Sequence, residues 1–129
     1  AQPDLAWKIN VEVTRLLAEL SAGIPFVFFS TDLVFDGAQG NYDESAVPNP
    51  LHVYGRTKVA AENIVLANPR HLVIRTSING GTSPKGDSGF NEQMRLAWQA
   101  GRTLNLFVDE YRAPIHARIT AGAARPISR

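Results

Sequence analysis

Tyr54 and Lys58 stand four positions apart in Tyr54-Gly55-Arg56-Thr57-Lys58, the spacing that puts two side chains on one face of a helix. A lysine ammonium beside a phenol favours the phenolate, so such a pair can act as general acid or base near neutral pH. By itself the pair is a weak signal, because a surface tyrosine near a solvated lysine has the same spacing. Ser30-Thr31-Asp32 adds to it: a hydroxyl 23 positions before Tyr54, at the end of an apolar run, could hydrogen-bond a substrate oxygen as that oxygen gains or loses a proton. The ordinary alternative is a turn in which these side chains satisfy the last backbone groups of a strand. Glu62, four after Lys58, competes for the lysine as an exposed ion pair worth under about 1 kcal/mol.

These residues need a frame. Leu5, Ile9, Val13, Leu16, Leu17 and Leu20 recur at helical spacing and predict an amphipathic helix over roughly 4–22, with Asp4 as its cap and Gly23 past its end. Residues 24–29 are continuously apolar, the pattern of a strand buried on both faces. A long loop over 30–53 follows, of a length that is usually functional or disordered. A helix is predicted over 54–66, halted by Asn68-Pro69, then a second buried strand over 71–76 and a loop over 77–87. The third helix begins near Ser88, with Phe90, Met94, Ala97 and Trp98 on one face and Gly101 as its stop; 104–108 reads as a third strand. From 117 onward the Ala/Gly/Arg/Pro-rich tail loses apolar periodicity and is expected to fray, giving one domain over 1–116 and a tail over 117–129. The alternation predicts an α/β fold in three layers, about three parallel strands with flanking helices. Ligand sites in such sheets lie at the carboxyl ends of the strands, where Ser30, Thr31 and Asp32 fall.

Composition narrows the function. The chain has 129 residues, 44% of them hydrophobic, which suits a single core. Thirteen Lys and Arg against twelve Asp and Glu leave a net charge of +1 without a basic cluster, so nucleic acid is not expected as a partner. With no cysteine there is no disulfide framework, thiolate catalysis or cysteine-ligated zinc. His52, His71 and His116 lack metal-ligand spacing, and no metal site is expected. The longest apolar run has six residues, against about 20 for a membrane span, and no basic-then-apolar leader opens the chain. A cytoplasmic protein with no membrane partner is the expectation.

Taken in order, Ser30-Thr31-Asp32-Leu33-Val34-Phe35-Asp36-Gly37, Tyr42-Asp43-Glu44, Pro48-Asn49-Pro50-Leu51 and Tyr54-Gly55-Arg56-Thr57-Lys58 resemble the extended short-chain dehydrogenase/reductases. Within that family they look most like the dTDP-4-dehydrorhamnose reductases and their sugar-nucleotide-binding relatives. Arg75-Thr76-Ser77, Phe90 and Asp109-Glu110-Tyr111-Arg112-Ala113-Pro114 continue the resemblance, which covers roughly 5–116. It implies a Rossmann-type fold, NADPH or NADH as hydride donor, and a 4-keto-6-deoxy sugar nucleotide as substrate. It further implies that Thr31 polarises the substrate carbonyl, that Tyr54 delivers the proton, and that Lys58 holds the nicotinamide ribose while lowering the tyrosine pKa. Ser30, Thr76 and Ser77 would join Tyr54 and Lys58 in binding the cofactor, and Asp32, Leu33, Asn79 and Phe90 would line the substrate side. Asn10 matches a family asparagine, although in mid-helix it is equally readable as structural.

One family feature is missing. No two of the ten glycines are separated by two positions, so Gly-x-Gly-x-x-Gly, which cradles the pyrophosphate at a helix N-terminus, is nowhere in the chain. The segment from Gly81 to Ser88 has the outline of a P-loop, but Asp87 replaces its lysine. The family carries the glycine-rich turn before the helix that opens this chain. The expectation is therefore the second half of a nucleotide-binding fold, without its N-terminal βαβ half and inactive by itself. Strand 24–29 would then keep an open apolar edge, through which a homodimer or higher oligomer would form. Two alternatives remain: a non-catalytic family member acting as a regulatory or interaction subunit, like the β subunit of methionine adenosyltransferase, and a remnant without activity.

Overall fold

The structure is a computed structural model that describes residues 2–125. The chain divides into two compact units, Ala1–Arg75 and Thr76–Arg129.

The first unit opens with a helix in three pieces: α1 (Pro3–Trp7), a π-helical turn (Lys8–Glu12) and α2 (Val13–Leu20). Gln2, not Asp4, is the N-cap, because Pro3 occupies the first turn, where its missing N–H costs nothing; Asp4 lies in the turn that favours an acid. Ser21 ends α2, its hydroxyl donating to the Leu17 carbonyl at 2.6 Å, so Gly23 is not the stop. The helix also buries the opposite face from the one expected. Val11, Thr14 and Ala18 are buried, and small side chains there let α3 (Val53–Leu66) come close, while Leu5, Ile9, Val13, Leu16, Leu17 and Leu20 stay exposed.

Strand β1 runs Val27–Thr31, three residues later than the apolar run begins, and pairs with β2 (Leu72–Thr76). The two are joined through α3, the kind of crossover a parallel pair requires. Burial on both faces does not occur: Ile24 and Phe29 are exposed, and β2 is half-buried along its length. Each strand has a single partner among the described residues, so neither is a central strand. A 3₁₀ turn (Asp32–Val34) follows β1, and the loop to α3 is pinned by side chains. Asp36 accepts from the Ala38 N–H and the Asn49 amide, each at 2.9 Å, and from the Tyr42 hydroxyl. Phe35 stacks flat on Tyr42, with centroids 4.4 Å apart. The core of this unit is Val11, Val34, Thr57, Ala61, Glu62 and Val65.

In the second unit, β3 (Asn79–Gly80) pairs in parallel with β4 (Ile115–His116), Asn79 opposite Ile115. Helix α4 (Phe90–Gln99) begins where Glu92 reaches back to the Gly89 and Ser83 N–H groups, both at 2.8 Å. It ends as expected at Gly101 (φ +62°): the Arg102 N–H returns to the Ala97 carbonyl and the Gly101 N–H to that of Trp98. Of the predicted face, Ala97 is buried and Met94 half-buried, whereas Phe90 and Trp98 are exposed, and Glu92 joins the buried side. Residues 104–108 form no strand; with no neighbour to complete a ladder, Leu106, Phe107 and Val108 are exposed. The tail expected to fray from 117 is instead α5 (Ala117–Ala124). His116 caps it by accepting the Arg118 N–H at 3.1 Å, and Thr120 anchors it by donating to Asn79 Oδ1 at 2.6 Å. The rest of that tail, 126–129, lies outside the described residues. Among the described residues the strands thus form two pairs, not one three-stranded sheet.

Candidate functional site

Thr31 closes β1 and caps the 3₁₀ turn, its Oγ1 accepting the Leu33 N–H and donating to Asp32 Oδ1, both at 3.2 Å. Ser30 is 5% exposed, and its hydroxyl has no hydrogen-bond partner among the described residues. An unmet buried hydroxyl costs about 1–3 kcal/mol, and such groups concentrate at functional sites.

Helix α3 brings the other two predicted catalytic residues to this strand. Tyr54, in its first turn, is half-exposed. Lys58, one turn on, donates from Nζ to the Phe29 carbonyl at 2.7 Å and sits 3.9 Å from the Phe28 ring centroid. Burial among these apolar groups lowers the Lys58 pKa, partly offset by the negative charge of Glu62. With one N–H committed to Phe29, the ammonium retains two donors. A partly desolvated cation with spare donors fits a polyhydroxylated ligand such as a ribose.

What sets α3 in place was only partly legible. Gly55 sits where a Cβ would come within 2.4 Å of the Leu33 carbonyl oxygen and 2.8 Å of the Pro50 Cβ, so no side chain fits between Tyr54 and Arg56. Its signal was the appearance of a helix-weakening residue inside a helical pattern. Asn10, in the π-helical turn, donates to Thr57 Oγ1 at 3.0 Å, and Thr57 donates to the Tyr54 carbonyl at 2.8 Å. Asn10 therefore ties the opening helix to the first turn of α3. Thr57 is wholly buried and carried no separate signal in sequence.

Glu62 does not form the exposed pair with Lys58 that its spacing suggested. It is 2% exposed and is gripped by Arg75 of β2: Nε lies 3.2 Å from both carboxylate oxygens and the second guanidinium nitrogen 2.7 Å from Oε2. The Arg75 guanidinium also stands over the Phe35 ring, 5.1 Å from its centroid.

Ser30, Thr31, Asp32, Leu33, Tyr54 and Lys58 thus all lie in the first unit, on elements that pack together. The other predicted residues belong to the second. Thr76 and Ser77 leave β2, and the Asn79 amide lies 3.4 Å from Thr76 Oγ1 and 3.3 Å from the Ser77 carbonyl. Asn79 Oδ1 is engaged by Thr120, and Phe90 is exposed on the first turn of α4. Among the described residues no three metal-ligating side chains cluster, and no helix is long and apolar enough to cross a membrane.

The sequence profile of the RmlD substrate binding domain matches residues 1–127. A dTDP-4-dehydrorhamnose reductase of Salmonella typhimurium is 35% identical over 126 residues, covering 94% of this chain and 41% of that protein. The methionine adenosyltransferase 2 subunit beta of Xenopus laevis is 32% identical over 125 residues, covering 94% and 37%. In three dimensions the chain is similar to a dTDP-4-dehydrorhamnose reductase of Bacillus anthracis solved in complex with NADP, with TM-score 0.85 and 28% identity, over 99% of this chain and 46% of that one. The α/β architecture is thus that of the Rossmann-like reductases, and the chain spans about two fifths of the length of the curated relatives it matches.

Proposed function

Because the chain belongs to the RmlD substrate-binding domain family, we propose that it carries the catalytic residues of an NAD(P)H-dependent reductase acting on a 4-keto-6-deoxy sugar nucleotide. The observation that carries this reading is Lys58 held against β1, where it donates to the carbonyl of Phe29, two residues before Thr31, from a position one helical turn after Tyr54. In it, Thr31 turns its hydroxyl proton from Asp32 to the substrate carbonyl oxygen, and Tyr54 supplies the proton that the same oxygen takes up on reduction. Lys58 donates to ribose hydroxyls with the N–H groups that Phe29 leaves free, and its charge stabilises the tyrosinate left behind. Within the first unit, Asp32 and Leu33 flank the substrate and Ser30 serves the cofactor side. Bound NADPH or NADH supplies the hydride in this chemistry.

The 129 residues contain no glycine-rich phosphate loop, so the reading includes inactivity of this chain by itself. Titration with NADPH and NADH, followed by Trp7 and Trp98 fluorescence and by calorimetry, is expected to give no saturable binding at millimolar cofactor from a chain folded by circular dichroism. Saturable micromolar binding would overturn that inactivity. Joined to a glycine-rich half, the chain should reduce a 4-keto sugar nucleotide, and Tyr54→Phe should slow kcat by about 10²–10⁴-fold. An unchanged rate in that variant would refute the assignment.

A second reading, an interaction subunit resembling the methionine adenosyltransferase β relative, is favoured by the uncovered leucines of α1 and α2. It predicts co-purification with a partner that survives Tyr54→Phe. In either reading we propose self-association through the free edge of β1 and the neighbouring helix face, which leave apolar surface open.

A further inference from the structure

Lys58 and Glu62 occupy positions i and i+4 on α3, where opposite charges normally meet. They do not meet here. Nζ of Lys58 turns instead to the Phe29 carbonyl and the Phe28 ring, and the Glu62 carboxylate turns to Arg75. The preference is physical. A buried carboxylate needs several donors, and the guanidinium fork supplies three contacts to two oxygens, which a single ammonium could not. The fork is itself held from behind by the Phe35 ring, and Phe35 is fixed by its stack on Tyr42.

We propose that Arg75 is a positioning residue for Lys58: by holding the buried Glu62 carboxylate, it stops that carboxylate from drawing Lys58 back along α3, so the ammonium stays on the Phe29 carbonyl of β1. The inference rests on the reading of Lys58 as a ligand-binding group and adds what orients it. The sequence pattern alone predicts the opposite pairing. The groups that bear on Lys58 are few. Its own helix offers Tyr54 one turn before and Glu62 one turn after, β1 offers the Phe28 ring and the Phe29 carbonyl, and β2 acts through Arg75 on Glu62.

The test is the titration of Lys58 in the 129-residue chain without nucleotide, read from the Cε resonance of ¹³C-lysine-labelled protein. Only Lys8 and Lys85 need to be distinguished from it, and Lys8→Arg and Lys85→Arg do so. The wild-type Lys58 should titrate below the ordinary lysine value, since burial disfavours its charged form. Glu62→Gln leaves Arg75 as an uncompensated cation and should lower the midpoint further. Arg75→Met leaves an uncompensated carboxylate that captures Lys58 and should raise the midpoint, each by about one pH unit. Because Arg75→Met strands a costly buried charge, the double variant Glu62→Gln/Arg75→Met, with neither charge, is the companion that keeps the test open if the single variant does not fold; its midpoint should lie above that of Glu62→Gln. Arg75→Lys should fall between wild type and Arg75→Met, because one ammonium holds the carboxylate less fully. A mere strut would loosen Lys58 in every variant and raise every midpoint towards the ordinary value. A raised or unmoved midpoint in Glu62→Gln, or a double variant not above it, overturns the proposal. The outcome is separate from that of the cofactor titration: failure to bind NADPH leaves these midpoints untouched, and unmoved midpoints leave cofactor binding standing.

Discussion

Gly55→Ala tests most directly how the candidate site is assembled. In a helix, alanine is ordinarily better than glycine by about 0.8–1 kcal/mol, so sequence alone predicts a more stable protein. The structure predicts the reverse. The new methyl would lie 2.4 Å from the Leu33 carbonyl oxygen and 2.8 Å from the Pro50 Cβ, and neither is the flexible end of a side chain. Carbon-to-carbonyl contacts settle at about 3.3–3.6 Å, so the first turn of α3 must retreat by about 1 Å from the turn that follows Thr31. Overpacking of this kind costs about 1–3 kcal/mol and can exceed that where backbone must move. Because one obstacle is backbone, the cost lies in the upper part of that range, and after the gain in helix propensity a net loss of about 1–2 kcal/mol is expected. Gly23→Ala is the control, since a Cβ there meets nothing within 4 Å and its φ is not positive; it should change stability by less than about 1 kcal/mol. Urea unfolding of the three proteins, compared at equal slope, gives the difference. If Gly55→Ala were as stable as wild type, α3 would not be seated against Leu33 and Pro50, and the placement of Tyr54 would fall with it.

Two further outcomes follow from the same unit. The Asp36 carboxyl is lowered from 3.8 to about 2, chiefly by the Tyr42 hydroxyl, then by the Ala38 N–H and the Asn49 amide. A depressed carboxylate stabilises the fold in full above its unfolded value and loses that contribution as pH falls from near 3.8 through about 2. The urea midpoint should therefore fall over this interval, and the part of the fall due to Asp36 should vanish in Asp36→Asn; an identical pH profile in that variant would contradict the loop geometry. Sedimentation at tens of micromolar should show a dimer or larger species, with Leu16→Glu/Leu20→Glu shifting it to monomer; a wild-type monomer would refute self-association through this face.

What could be read from the sequence was local. The helix expected over 54–66, found at Val53–Leu66, was legible from its Asn68-Pro69 stop, and the Gly101 stop because a left-handed residue after a helix is nearly always glycine. Thr31, Tyr54 and Lys58 were marked as a candidate set because their order and spacing form part of a long motif string. Long-range choices were not. Periodicity marked six apolar positions on the first helix, but which face is buried depends on what packs there, and α3 selects the side with Thr14 and Ala18. Strand 104–108 had the right residues and no edge to join. Helix α5 had no apolar period, yet a histidine cap and the Thr120–Asn79 bond suffice for it. Glu62 was assigned the wrong partner because Arg75 is distant in sequence, and helical spacing speaks only of neighbours.

The seating of α3 draws little on apolar burial. Its buried positions are Gly55, Thr57, Ala61, Glu62 and Val65, which together offer few large hydrophobic side chains. The helix is fixed by a steric stop at Gly55, a polar tie through Thr57 to Asn10 and an ion pair from Glu62 to Arg75. Such contacts are directional, and they fix the rotation and advance of a helix more narrowly than an apolar stripe, which tolerates sliding. That precision suits the proposed role of a helix that carries exposed Tyr54 and half-buried Lys58 one turn apart beside β1. The cost falls on stability, because polar ties contribute little net free energy and the large apolar side chains of the neighbouring helix remain uncovered. A unit built this way fixes α3 by directional contacts and leaves apolar surface on the neighbouring helix exposed, the surface through which the proposed self-association would run.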